Sequence, residues 1–181
     1  GLFSSLGGCD SGAKSPAKGQ AVAADARWQL QQQFKLPPEL REVSGLAETA
    51  SGTLLAVADE QALIFEIDLQ AGTAAPWLAI GEPTLAGDFE GIELIGERVW
   101  LVDSDGGLLW SDGEQYDQVV TGLGATCEIE GLAQDPLSKH LLLLCKQARS
   151  KTLAEDRLYL HAVSAESGSR VPDADLSFDL Q

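Results

Sequence analysis

The sequence has no methionine, two histidines, three cysteines and only 12 basic residues against 28 acidic ones. Each scarcity excludes something. A formal charge of −16 argues against a broad surface for nucleic acid or anionic lipid headgroups. It suits cations or cationic partners, and it also suits plain solubility. His140 and His161 stand in apolar text without metal-ligand spacing and read as ordinary strand residues. No apolar run is long enough to span a bilayer. There is no serine nucleophile elbow, and no glycine-rich phosphate loop leads into a helix. The missing methionine is that of a chain that is not a whole translation product, and a fragment is expected.

What is present is a repeat. Glu42-Val43-Ser44-Gly45-Leu46-Ala47, Asp88-Phe89-Glu90-Gly91-Ile92-Glu93 and Glu128-Ile129-Glu130-Gly131-Leu132-Ala133 share one pattern. An acid, an apolar residue, Ser or Glu, Gly, and Leu or Ile follow in order. The glycines stand 46 and then 40 positions apart (45 to 91, 91 to 131). After each come short aliphatic runs bounded by Ser51-Gly52, Asp105-Gly106, Asp112-Gly113, Asp135-Pro136 or Ser167-Gly168. These runs are too short, and too often broken by glycine, for helices. Asp105-Gly106 between two runs predicts a two-residue hairpin, because such a turn needs positive φ. A period of about 40–50 residues filled with strand text is that of a β-propeller blade. The fold class is therefore all-β, a partial ring of about three four-stranded blades over residues 28–181. Residues 28–37 are expected to add an N-terminal strand, the outermost strand of a closing blade. A complete three-blade assembly is the alternative, and it would leave open sheet edges.

Residues 1–27 differ in composition. Leu6-Gly7-Gly8-Cys9 has the form of a bacterial lipobox, where small residues give a peptidase access to the bond before cysteine. Gly1–Ser5 would be the end of a signal region, and residues 10–26 a Gly, Ser, Ala and Lys tether. Cys9 is the expected lipidation site. A free cysteine in a tail is the alternative. The lipid reading places the protein in the bacterial cell envelope, anchored and facing the periplasm or exterior.

Cys127 and Cys145 flank the third repeat. A hairpin turning at Asp135–Ser138 places them nearly opposite each other on adjacent strands, where a disulfide can close. Two small buried thiols are the cytosolic alternative.

Propeller ligands bind where the inner strands and their loops converge. Ser44, Glu90 and Glu130 are equivalent in the repeat, as are Glu42, Asp88 and Glu128. Members of each pair are two apart and so share a strand face. The next strands end in Asp59, Asp103 and Lys146. Glu90, Glu130, Asp103 and Asp59, with Lys146 among them, are thus the candidate ligand residues, and oxygen donors of this kind suit Ca²⁺ or Mg²⁺. The alternative is structural: such acids can bond backbone amides of the next blade. Asp103-Ser104-Asp105-Gly106 lacks the later acids of a calcium loop and reads as a β-turn. Lys146, Arg149, Lys151 and Arg157 gather on the third repeat and read as a solvated loop or as contacts to an anionic ligand.

Leu40–Ala47, Gly87–Ile92 and Cys127–Ala133 with Leu144-Cys145-Lys146 together resemble the SdiA-regulated family of bacterial β-propellers. The resemblance covers roughly residues 36–181. It implies an exported or anchored propeller, a longer and six-bladed parent, and distant kinship with esterase-like phytase propellers. Two functions follow. One is a binding module for a small ligand, a cation or an envelope protein, with membrane contact through the lipid anchor only. The other is a metal-assisted hydrolase of phosphate or related esters, which needs an open metal position and a positioned water. The sequence shows candidate ligands and no distinct general base, so it favours the first.

Overall fold

A computed structural model of the protein describes residue 30 and residues 32–180. Residues 34–180 belong to one compact unit. The lipobox, Cys9 and the tether lie outside the described residues. Among the described residues twelve strands fold into three sheets of four, each a simple antiparallel meander. The first sheet is β1 (Val43–Glu48), β2 (Leu54–Ala58), β3 (Leu63–Asp68) and β4 (Thr73–Ala79). The second is β5 (Phe89–Ile95), β6 (Arg98–Asp103), β7 (Leu108–Ser111) and β8 (Tyr116–Val119). The third is β9 (Cys127–Gln134), β10 (Leu141–Ala148), β11 (Arg157–Val163) and β12 (Leu176–Asp179). These are three blades of a β-propeller, with the repeated motif on the innermost strand of each. Only three short 3₁₀ turns interrupt the strands among the described residues.

Burial explains the sequence of each strand. The second strands, β2 and β6, are apolar on both faces because a blade or chain segment packs on either side. The outermost strands β8 and β12 stay mostly exposed, β8 with polar text and β12 with Leu176 and Phe178 open to solvent. Between the first two blades, Leu55, Val57 and Ile64 meet Phe89, Ile92, Val99 and Leu101. Between the second and third, Trp100, Val102 and Leu108 meet Ile129, Leu141 and Leu143. Each fully buried aliphatic side chain contributes about 1.5–3 kcal/mol relative to an exposed one.

The described residues of the expected N-terminal strand are not in a strand. Leu30 and residues 32–37 have no regular structure, and Pro38–Leu40 is a 3₁₀ turn. Pro37 and Pro38 have no N–H to give a ladder, and all three sheets are complete at four strands without this segment. Instead Leu36 and the buried Leu40 pack on Ala56, Phe65 and Ile67, covering the outer face of the first blade. The hairpin at Asp105-Gly106 also differs from expectation. Its loop has three residues, Ser104 to Gly106, closed by the Asp103 N–H on the Gly107 carbonyl at 2.9 Å. Gly106 takes the left-handed position (φ +75°) that this loop requires.

The repeat encodes a β-bulge. Val43 pairs with Ala58 and Gly45 with Val57, so Ser44 is the extra residue. Phe89 pairs with Asp103 and Gly91 with Val102, which makes Glu90 extra. In the third blade the register skips at Glu130-Gly131 opposite Leu144. A bulge turns its extra side chain off the alternating pattern. Residues two apart across it, such as Asp88 and Glu90, therefore do not share a simple strand face.

The repeated glycine has a separate cause. A Cβ on Gly45 would stand 2.9 Å from Ile92 N, and one on Gly91 would stand 2.8 Å from Leu132 N. Each glycine lets the inner strand of the next blade come close. Phe89 N–H then donates to the Asp59 carbonyl (2.8 Å) and Ile129 N–H to the Ser104 carbonyl (2.9 Å), tying blade to blade.

Cys127 and Cys145 are joined, with Cα atoms 5.5 Å apart. The hairpin count placed them nearly opposite, and the pairing offsets them: Cys127 pairs with Ala148 and Cys145 with Ile129. A second register shift, at Lys146, brings the sulfurs together diagonally. With a sequence separation of 18, the cross-link contributes about 3 kcal/mol by restricting the unfolded chain.

Candidate functional site

Bulges and inter-blade ties gather the acids of the first two repeats near those of the third. Burial pushes the Glu90 carboxyl up first, and repulsion from Asp88, Glu130 and Asp59 pushes it further, while Lys146 pulls it down. Glu90, Glu130 and Asp59 are therefore neighbours, as are Asp88 and Lys146. Among the described residues the Glu90 carboxylate accepts no hydrogen bond. Lys146 Nζ pairs closely with Glu130 and stands 3.5 Å from Glu128. These bonds, led by the one to Glu130, hold the Lys146 ammonium above its usual range. Arg149 continues the cluster, 2.5 Å from Asp105 and 3.8 Å from Glu128. A groove of about 400 Å³, lined by Glu39, Arg41, Glu42, Asp59 and Glu60, opens beside the cluster at Asp59.

Asp103 does not occupy the position equivalent to Asp59. The pairing of Phe89 with Asp103 and of Val43 with Ala58 makes Ser104 the counterpart of Asp59. The Asp103 carboxylate turns into its own hairpin and accepts the N–H groups of Gly107 (2.7 Å) and Asp105 (3.0 Å). Burial raises its pKa, and these two bonds only partly offset the rise. Asp88 accepts the Ser104 hydroxyl at 2.5 Å. The amide-bracing role considered for Glu90 and Glu130 is taken by Glu93, whose carboxylate accepts Gln134 N–H of the third blade at 2.8 Å. Of the basic group, Lys146, Arg149 and Arg157 are paired with acids, Arg157 with Asp179 at 3.4 Å.

One further cluster has no signal in the residue pattern. His161 is a strand residue as expected, but it is buried and linked to Asp175, Arg170 and Cys127. Asp175 reaches it through the 3₁₀ turn Pro172–Ala174, a placement that no spacing rule signals.

No family model matches the sequence, and the curated proteins give no match to it. Solved structures do resemble the fold. A nidogen/laminin complex matches with a TM-score of 0.52 at 19% identity, over 74% of this chain and 48% of that one. A catalytically inactive virginiamycin B lyase from Staphylococcus aureus with quinupristin matches with a TM-score of 0.50 at 10% identity, over 82% and 45%. The β-propeller domain of Cps50 (Swd1) from Myceliophteria thermophila matches with a TM-score of 0.44 at 14% identity, over 77% and 42%. The chain spans less than half the length of each. At these identities the likeness concerns the fold alone, and the three four-stranded blades together with the first two matches make that fold a β-propeller.

Proposed function

We infer that this propeller is a binding module whose acidic mouth takes a divalent cation, Ca²⁺ or Mg²⁺, and through it a ligand. One observation carries the reading: the Glu90 carboxylate, which accepts no hydrogen bond among the described residues, stands beside Asp88, Glu130 and Asp59, whose repulsion Lys146 only partly offsets. Carboxylates so placed repel one another, and a hard cation relieves them. Glu90, Asp59 and Asp88 would supply oxygens. Glu130, now held by Lys146, would join if the lysine swings away, and Asp103 is the outlying member because its carboxylate already serves the hairpin.

The module is a member of the SdiA-regulated group and an envelope lipoprotein held through Cys9. The three motifs support the first part. The lipobox text supports the second, and the disulfide agrees with an exported protein. Labelling with a fatty acid during expression of the whole gene tests the anchor. A Cys9→Ala protein that remains labelled and membrane-bound would refute it.

The cation is tested by thermal unfolding with Ca²⁺, Mg²⁺ or chelator. A cation at 100 times its Kd stabilises by about 2.7 kcal/mol if it binds only the folded form. Wild type should melt higher with the metal, and Glu90→Gln should not. An unchanged melting temperature in wild type would sink the reading. Metal-dependent turnover of a phosphate ester by the same protein would replace binding with hydrolysis.

A further inference from the structure

The disulfide lies against a polar chain that a structural cross-link does not need. His161, on β11, is 7% exposed, and its Nε2 stands 3.4 Å from Cys127 Sγ. Its Nδ1 stands 3.0 Å from Asp175 Oδ2. Arg170 donates to both oxygens of Asp175, at 2.7 and 3.1 Å, and Ala162 N–H donates at 2.8 Å. Burial alone would raise the Asp175 carboxyl, but the bonds from Arg170, His161 and Ala162 outweigh it and hold the group below its ordinary range. The Tyr159 ring lies parallel to the imidazole, centroids 6.3 Å apart.

Asp175 as a carboxylate can only accept, so Nδ1 carries the proton in neutral His161 and Nε2 carries the lone pair. That lone pair faces a disulfide sulfur, which has no hydrogen to give. A buried acceptor without a donor is costly, and its environment fixes it toward Cys127. A histidine whose far nitrogen is held by a carboxylate is the usual setting of a metal-bound imidazole.

We propose that the reduced protein binds Zn²⁺ here, through the thiolates of Cys127 and Cys145 and Nε2 of His161, so that disulfide and metal are alternative states of one site. The step balances with a dithiol reductant. Its two thiols close to a disulfide, and its two electrons and two protons convert the Cys127–Cys145 bond into two thiols. Zn²⁺ then displaces the two thiol protons to solvent. Two thiolates and a neutral imidazole leave the occupied site without net charge, which suits the surrounding apolar core of Ile129, Leu141 and Leu143. The geometry needs little change. Tetrahedral zinc with these ligands sets them about 3.6–3.8 Å apart. The three ligand atoms already lie within 4.8 Å of one another, and reduction lets the two sulfurs separate. Water takes the fourth position.

The test uses the full chain, oxidised and phosphine-reduced, titrated with Co²⁺ under excess Mg²⁺ to occupy the carboxylates. The reduced protein should bind one Co²⁺ with a thiolate-to-cobalt charge-transfer band that Zn²⁺ abolishes, and the oxidised protein should show none. His161→Gln should weaken binding, and Asp175→Asn should weaken it about 10–100-fold. A Cys127→Ser/Cys145→Ser protein should lose the band. Circular dichroism follows the fold in each state. A folded, reduced protein without the band overturns the proposal, as does unchanged affinity in folded His161→Gln. Should reduction unfold the chain, Zn²⁺ must restore the fold, and failure to do so equally overturns it. The Ca²⁺ and Mg²⁺ reading at Glu90 is untouched by either result.

Discussion

At the scale of the residue, Glu90 has a pH signature of definite sign. Its carboxyl is raised in the folded state by burial and then by Asp88, Glu130 and Asp59. A raised acid favours the folded form when protonated. Its contribution is fully present below the unfolded pKa and is lost as pH rises through the folded value. In chelator, Glu90→Gln should therefore melt above wild type at pH 7, and the difference should vanish in acid below the ordinary glutamate range. In saturating Ca²⁺ the order at pH 7 should reverse, because the variant loses the cation. Melting curves across pH with and without Ca²⁺ check both statements. Equal melting of the two proteins at all pH values in chelator would mean that Glu90 is solvated and feels none of its neighbours. Asp175 has the opposite sign: its contribution is present above the unfolded pKa and is lost as pH falls through the lowered folded value.

At the scale of the element, the repeated glycine is an inter-blade contact before it is anything else. Gly45 and Gly91 face backbone of the following blade, whereas a Cβ on Gly131 meets only the Leu144 side chain of its own blade, at 3.2 Å. Gly91→Ala forces two inner strands apart and should destabilise by about 1–3 kcal/mol, as overpacking does. Gly131→Ala should cost clearly less. Denaturant midpoints at constant m decide it, and equal losses would contradict the contact. Leu40→Ala should cost about 2–5 kcal/mol, because it strips the cover from Phe65 and Ile67. The blades themselves were legible in the sequence. A period near that of a blade, aliphatic runs and Asp105-Gly106 are local signals, and local signals survive in one chain. What was not legible depends on register. The strand pairing sets Asp103 against Ala58 and Ser104 against Asp59, and no residue type announces a one-residue offset. Residues 32–37 alternate like a strand but have no ladder to join. His161 looked ordinary because Asp175 and Arg170 reach it only through a return of the chain after β11.

At the scale of the whole molecule, 28 acids against 12 bases set a background on which any cation effect must be read. A net charge of −16 repels itself, and every dissolved ion weakens that repulsion. Raising NaCl from about 0.01 M to 0.15 M shortens the screening length from about 30 Å to 8 Å. The melting temperature of wild type should rise over that range, and it should rise equally for Glu90→Gln if the gain is diffuse screening. A bound cation behaves differently. At matched ionic strength, Ca²⁺ should add stability beyond NaCl, growing with the logarithm of its concentration. The excess should disappear in Glu90→Gln and shrink in Glu130→Gln, where Lys146 loses its tight partner and is freed toward Glu128. Charge elsewhere on the surface should matter little. Asp117→Asn, on the exposed strand β8, removes one charge as Glu90→Gln does but lies outside the cluster, so it should retain the whole Ca²⁺ excess. If Asp117→Asn and Glu90→Gln lost the excess alike, the effect would belong to net charge. The inner ends of the blades would then be a solvated acidic rim with no site in it.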